Sequence, residues 1–495
     1  MDDIARRLYS AAQVRELDRR AIEGGIPGYT LMQRAAAACW QELLRRWPQA
    51  ERIAVVAGPG NNGGDGYVIA RLARAAGRRV SLLAVGGAPR QGDAVQAHAD
   101  WLAAGGAVQA FDAAALQGVE VLVDALFGIG LSRPVQGEPA AVIAAMRAAH
   151  AAGTAVLAVD LPSGLDADTG RVWGGAVQAD VTLSFIGRKL GLETGEGPQH
   201  AGERLFDALG VPAALHDGQP LLAQLLQASE LQTWLPPRPR GAHKGSHGHV
   251  LVVGGDAGMA GAALLAGRAA LRAGAGLVSV ATRAAHATVL TAAQPELMCH
   301  GVEDAETLRP LIERADVVAV GPGLGQGEWG QRLLGQVLDS RRPLVVDADA
   351  LNLLAQEPVH RDHWVLTPHP GEAGRLLGIG TAQVQADRPA AAQALRARYG
   401  GVAVLKGAGS LVQAGALRVC PCGNPGMAVA GMGDTLTGII AALIGQGLAL
   451  EDAAAAGVLV HALAGDRAAR HGERGLLPTD LLAEIRPLVN PRAVP

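Results

Sequence analysis

A two-domain α/β protein follows from three features of this 495-residue sequence. Short β-branched runs alternate with long Ala/Leu/Arg stretches, the rhythm of βαβ units around a parallel sheet. Glycine-rich loops follow the ends of several of those runs, where α/β proteins place their ligands. The length suits two or three domains at roughly 100–250 residues each.

In the first half, strands are expected at 53–57, 80–85, 119–124, 155–160 and 181–185, with helices between them such as 66–76 and 139–152. Residues 8–47 read as one or two amphipathic helices. Residues 210–228 lead into LPPRPRGAHKGSHG at 235–248, whose Pro, Gly and His suit an extended connector or ordered loop. A boundary near residue 220 gives domains at 1–220 and 221–495. The second half carries strand signals at 249–253, 277–281, 317–320, 344–347, 364–367 and 402–405. No fixed period of roughly 20–50 residues recurs, which excludes a solenoid. The halves differ in motif order, so fusion of two α/β domains is favoured over duplication.

Hydrophobic residues make up 49% and charged residues 18%, which excludes a largely disordered chain. A formal net charge of −3 gives no argument for nucleic acid or an anionic membrane as partner. Cys39, Cys299, Cys420 and Cys422 are too few for a disulfide scaffold, and no metal is expected at Cys420 and Cys422. The opening MDDIARRLYS has no apolar core for a secretory signal. The longest apolar stretch, 436–450, is shorter than the ~20 residues a membrane span needs. A cytoplasmic location is expected. Only three lysines occur, Lys189, Lys244 and Lys406; where Arg is the default cation, a surviving Lys marks a position suited to a compact ammonium.

The stretch GPGNNGGD at 58–65 follows a strand and opens a helix, and its glycines let backbone N–H groups approach a phosphate. The next strand ends in Gly86-Gly87, without the acid that would hold a ribose hydroxyl, which argues against an ordinary nicotinamide dehydrogenase. Two further strand ends run into ALFGIGLSRP after Asp124 and LPSGLD after Asp160. These three loops are expected to converge on one crevice. Asn62, Asp124 and Ser163 offer hard oxygen ligands for an alkali or alkaline-earth cation, and Asp160 is left as an acid/base candidate.

In the second half, NPGMAVAGMGDTLTG at 424–438 delivers Asp434 at a helix start beside Gly431 and Gly433, a suitable anion site. An aspartate there can take the proton from an attacking hydroxyl in phosphoryl transfer. Lys406-Gly-Ala-Gly-Ser410 can cradle phosphates, with Lys406 as point charge, and lacks the Walker A pattern. His369 stands between two prolines that fix its direction, VGPGLG at 320–325 adds a glycine loop, and Asp347 and Asp349 end another strand.

The segments NNGGDG, VDALFGIGLSRP, AVDLPSGLDADTG and IGRKLGL resemble the NAD(P)H-hydrate epimerase domain of the N-terminal YjeF type, over about residues 8–215. The resemblance implies a Rossmann-like three-layer sandwich. It also implies that Asn61, Asn62, Gly63, Gly64 and Asp65, with Gly128, Ile129, Gly130, Leu131, Ser132, Arg133 and Pro134, hold the hydrated dinucleotide. Potassium at Asn62, Asp124 and Ser163, and a substrate-contacting, proton-moving Asp160, are implied as well. The segments HKGSHGHVLVVGG, VGPGLG, DADALN, LTPHPGEAGRLLG, LKGAGSLV and NPGMAVAGMGDTLTGIIAAL resemble the NAD(P)H-hydrate dehydratase family, a ribokinase-like α/β fold, over about residues 228–490. That resemblance implies ADP and AMP contacts at Lys406, Gly407, Ala408, Gly409, Ser410 and Gly433, with magnesium accompanying ADP. It implies substrate contacts at Ala262, Gly323, His369 and Asp434, with Asp434 as base. Together the two imply epimerisation and ADP-dependent dehydration of hydrated NADH and NADPH. A homo-oligomer is expected, since the Ala-rich N-terminal helices can pair with another subunit. The rival reading is a ribokinase-like vitamin kinase with a non-catalytic N-terminal binding module; a stable phosphorylated product would favour it.

Overall fold

The computed structural model describes residues 3–491. The chain divides into two units, residues 1–224 and 225–495. In the first unit, β1 (Arg52–Ala57), β2 (Arg79–Ala84), β3 (Val108–Ala110), β4 (Val121–Ala125), β5 (Ala155–Val159), β6 (Val181–Phe185) and β7 (Glu203–Asp207) form one parallel sheet. Its spatial order is β3-β2-β1-β4-β5-β6-β7. The order reverses between β1 and β4, so the crevice beyond their carboxyl ends is the topological switch point.

Burial alternates with the two-residue period of a strand. Ile53, Val55 and Ala57 of β1 face a core shared with helices Ala11–Glu23, Gly28–Arg46, Asn61–Ala75 and Asp93–Ala103. Ala54 and Val56 face the opposite core, closed by helix Glu138–Ala151. A parallel sheet covered on both faces is a three-layer sandwich. The apolar stripes of the first two helices, with Val14, Leu17, Leu31 and Leu43, are spent on this unit's own core. A short strand, Arg7–Tyr9, runs parallel to Arg188–Lys189 and sets Tyr9 opposite Lys189.

In the second unit, β8 (His249–Val253), β9 (Leu277–Thr282), β10 (Met298–Gly301), β11 (Val317–Val320), β12 (Leu344–Val346), β13 (Trp364–Leu366) and β14 (Val402–Leu405) are parallel. An antiparallel extension, β15 (Ser410–Gln413) and β16 (Leu417–Cys420), follows β14. The order is β10-β9-β8-β11-β12-β13-β14-β15-β16. Helices Ala260–Arg272, Met432–Gly445 and Leu450–Ala468 fill the core against one face. Burial on nearly every side accounts for the apolar run in Met432–Gly445. Among the described residues, no helix is long and apolar enough to cross a membrane.

Five strands of these sheets carry no strand signal in the sequence: β3, β7, β10, β15 and β16. β3, β7 and β10 are short or half-exposed strands with polar or small residues, such as ERLFD and MCHG, and the hairpin β15–β16 follows a glycine turn.

Candidate functional site

Beyond the carboxyl ends of β1, β4 and β5 lies a cavity of about 730 Å³. Asn61, Asn62, Asp65, Gly128 through Pro134 and Asp160 all line it, so the three loops converge. Gly63 and Gly64 do not line it. The helix starts at Asn61, five residues earlier than expected, and these glycines pack its first turn against the sheet. A Cβ at Gly63 would stand 1.8 Å from the Gly58 carbonyl oxygen, and one at Gly64 would stand 2.5 Å from Met32. The site thus uses their close approach, which leaves the helix N-terminus facing the cavity.

Asp124, one residue before the end of β4, is wholly buried. It accepts hydrogen bonds from Ser163 N at 2.7 Å, Ser163 Oγ at 2.6 Å and Leu126 N at 3.3 Å. Burial pushes its carboxyl up to about 6, against the hydrogen bonds from Ser163. Asn62 Nδ2 donates to the Phe127 carbonyl at 3.0 Å, and Ser163 Oγ lies 3.3 Å from the same oxygen. Asn62, Asp124, Ser163 and the Phe127 carbonyl form an oxygen-only donor set around a buried carboxyl short of positive charge. That chemistry fits a hard alkali or alkaline-earth cation.

Asp160 follows β5 with its backbone in the left-handed region, at φ +65°. Phe185 N donates to its Oδ1 at 3.1 Å, and the fully buried Lys189 ammonium pairs with the same oxygen while donating to the Phe185 carbonyl at 3.0 Å. Asp65 lines the same cavity from helix Asn61–Ala75. Burial first, then the Asp160 and Asp18 carboxyls, push it well above the usual carboxylate range, with Lys189 opposing.

In the second unit, helix Met432–Gly445 begins at Gly431, which has φ +93° and sits against Leu265. This puts Asp434 in the first turn of the helix. Burial, followed by the charge of Asp347, pushes its carboxyl up to about 6, against the pull of Lys406. Lys406 donates to Asp347 Oδ1 at 2.7 Å and lies 3.8 Å from Glu372. Asp347 Oδ2 accepts from Thr437 Oγ1 at 2.8 Å. Burial alone would raise Asp347, but Lys406 and these hydrogen bonds outweigh it and hold it low. Burial pushes Glu372 up to about 7 despite the same ammonium. Lys406 therefore points inward onto three carboxyls. Its turn, Gly407, Ala408 and Gly409, links β14 to β15, with Ser410 Oγ closing it onto the Gly407 carbonyl at 3.0 Å. A Cβ at Gly433 would lie 3.1 Å from Lys406 Nζ, so backbone alone fits between helix and ammonium.

His369 caps helix Pro370–Leu377, its Nδ1 accepting from Gly371 N at 3.0 Å and its Nε2 lying 3.4 Å from Glu372. Gly323, at φ +59°, adjoins Ala262: a Cβ there would lie 3.2 Å from the Ala262 Cβ. Sequence reasoning missed Glu372, the pairing role of Lys189, and Arg388. Arg388 is buried to 1% exposure and bonds the Lys406 and Leu405 carbonyls at 3.3 Å, bracing the turn. The scarcity of lysine pointed at Lys189, while Lys406 was marked both by scarcity and by its glycine-rich loop.

Comparison with known proteins matches both units. Residues 28–191 match the family described as YjeF-related protein N-terminus, and residues 250–487 match NAD(P)H-hydrate dehydratase. A bifunctional NAD(P)H-hydrate repair enzyme of Coxiella burnetii is 49% identical over 488 residues, covering 98% of this chain and 99% of that one. One from Escherichia coli is 46% identical over 493 residues, covering 99% and 95%. A solved ribokinase-like superfamily protein from Enterococcus faecalis is 32% identical with a TM-score of 0.51, covering 55% of this chain and 96% of that one. Identity at this level over nearly the whole of both chains favours the repair reading over a kinase with a passive N-terminal module. The chain belongs to the family of bifunctional NAD(P)H-hydrate repair enzymes.

Proposed function

We propose that this chain repairs hydrated NADH and NADPH, its first unit interconverting the two C6 epimers and its second unit dehydrating the S epimer with ADP. The observation that carries the reading is the convergence of Asn61, Asn62 and Asp65 with the 128–134 loop and Asp160 on one cavity. C6 of the hydrated ring bears both a hydroxyl and the ring nitrogen. Loss of the hydroxyl leaves an iminium, and return of water to the other face inverts the centre, with Asp160 moving the proton. Asn62, Asp124 and Ser163 would hold potassium, which supplies positive charge beside the buried carboxyl. A dehydratase specific for one epimer strands the other, so coupling to an epimerase lets both drain to reduced cofactor.

In the second unit, Asp434 accepts the proton of the C6 hydroxyl as its oxygen attacks the terminal phosphoryl group of ADP, releasing AMP. Elimination then expels phosphate with loss of a proton from C5, restoring the reduced ring. The turn at 407–410 and the helix start at Gly433 supply N–H groups for the phosphates. ADP with magnesium is the phosphoryl donor in this reading. His369, Gly323 and Ala262 contact the hydrated nicotinamide.

The test mixes full-length protein with a chemically hydrated NADH epimer mixture, ADP, magnesium and potassium, and follows reduced-nicotinamide absorbance. Full recovery from both epimers supports the reading; a stable phosphorylated product without recovery refutes it. Asp160→Asn is expected to slow epimer exchange about 10²-fold or more while dehydration of the S epimer is unchanged; unchanged exchange sinks the assignment of Asp160. The pH profile gives a further check. Asp434 must be ionised to accept a proton and its carboxyl sits at about 6. Dehydration kcat/KM is therefore expected to rise about tenfold per pH unit below that value and level off above it. A flat profile from about one unit below to one unit above that value would remove Asp434 as base.

A further inference from the structure

Two titratable groups on the cavity of the first unit, the fully buried Lys189 and the partly buried Asp65, have no task in the reaction scheme above. We propose that epimerisation here runs on two carboxyl groups, with Asp65 as the second proton carrier and Lys189 as the positioning residue for Asp160. The proposal rests on the epimerase reading and extends it.

Inversion at a carbon that loses and regains its hydroxyl needs a proton delivered to the departing oxygen. It also needs a proton removed from the water that arrives on the opposite face. One carboxyl cannot stand at both faces at once. Asp65 and Asp160 line the same cavity but come from different elements, the helix Asn61–Ala75 and the loop after β5. Asp160 is fixed in place: its N–H bonds the Leu183 carbonyl at 2.9 Å, and Phe185 N and Lys189 Nζ both fall on Oδ1. Oδ2 is the oxygen left for proton transfer. Lys189 is anchored in turn by the Phe185 carbonyl and by its register opposite Tyr9. A compact ammonium with three donors suits this fully buried place, where a planar guanidinium would need more room. Burial first, then the neighbouring Asp160 and Asp18 carboxyls, favour a protonated Asp65, with Lys189 opposing, and a proton donor on this cavity needs that form.

The step balances. Asp65 gives its proton to the C6 hydroxyl, the C6–O bond breaks with its electrons leaving in water, and the nitrogen lone pair closes the iminium. Water then adds to the other face through an oxygen lone pair and gives a proton to Asp160 Oδ2. That proton returns to Asp65 through water in the cavity, and nothing is consumed.

The experiment uses the full chain with potassium and a single purified NADHX epimer, without ADP, and follows epimer exchange by chromatography. ADP-dependent dehydration by the same preparation is the control for the integrity of each variant. Asp65→Asn is expected to lower the epimerisation kcat about 10²-fold with KM changed less than about threefold, and Asp65→Glu to recover about tenfold of that loss. Lys189→Met is expected to lower kcat about 10- to 10²-fold, with Lys189→Ala regaining activity when propylammonium is added. Equal rates for Asp65→Asn and Asp65→Glu overturn the carrier role even where folding is perturbed. Loss in Asp18→Asn as large as in Asp65→Asn, with Asp65→Glu unrecovered, assigns the proton to Asp18 and overturns it too. Absence of propylammonium rescue overturns the positioning role. A wild-type chain that leaves the epimers as they are refutes the epimerase reading itself, a result distinct from any of these.

Discussion

Asp434→Asn is expected to lower ADP-dependent recovery of reduced nicotinamide about 10³-fold near neutral pH while leaving epimer exchange unchanged. The amide keeps the size and shape of the carboxyl in the first turn of its helix but cannot accept a proton. Its effect on stability runs the other way. The folded chain holds Asp434 at about 6 against an ordinary value of 3.8, because burial and Asp347 oppose its charge. Folding therefore binds the proton more tightly than the unfolded chain does. The contribution is present below the ordinary carboxylate range and is lost as pH rises through about 6. Above that pH the ionised Asp434 is a strain on the fold, and the neutral amide removes it. The variant should melt at the same temperature as the parent or higher, the pattern of an active site that trades stability for activity. Steady-state kinetics and thermal unfolding of the full chain check both halves. A rate loss below about tenfold contradicts the role of base, and a large fall in melting temperature contradicts the strain.

Much of this arrangement is legible in the sequence, and the reasons for the rest are physical. The buried parallel strands announce themselves as β-branched runs, because a strand covered on both faces needs apolar residues at consecutive positions. The glycine loops at their ends announce the crevices. Gly63 and Gly64 read as ligand contacts because a glycine gives the same letter whether it admits a phosphate or a neighbouring backbone, and only the 1.8 Å approach to Gly58 separates the two. Glu372 read as part of a helix start because its charge partner, Lys406, lies 34 residues further along the chain. Its capping role, accepting from His369 N at 2.8 Å, hides a carboxyl that also faces the ammonium. Lys189 is marked by scarcity, and Lys406 by scarcity together with its glycine-rich loop. In a chain that uses Arg almost everywhere, both lysines pair with carboxylates in the two candidate sites, while Lys244 is exposed. Long-range ion pairs leave no periodic trace, so composition was the only place where they could register.

Lys406→Met tests the second of those pairs and should produce the largest loss of stability. Asp347 is 1% exposed and its carboxylate is held by Lys406 Nζ at 2.7 Å, with Thr437 on the other oxygen. Methionine fills nearly the same volume, so the packing survives while the charge does not. Removing one partner of a buried pair leaves the other desolvated and unpaired, which costs about 3–5 kcal/mol. Thermal unfolding of the full chain is expected to show an earlier transition. Two further carboxyls lose the same cation: Glu372 and Asp434 are both opposed by burial and relieved by Lys406. Each should move upward, so the dehydration pH profile of the variant shifts to the alkaline side as less Asp434 is ionised at a given pH. Adding Asp347→Asn to Lys406→Met neutralises the orphaned charge, and the double variant should recover most of the lost stability. It should not recover dehydration, because the ammonium beside Gly433 and the phosphate turn is still missing. Stability and activity then separate along the two mutations. A Lys406→Met chain that melts like the parent would show that Asp347 does not depend on the ammonium. A double variant that regains full dehydration would confine Lys406 to balancing Asp347 and leave phosphate binding to the backbone of the turn and the helix start.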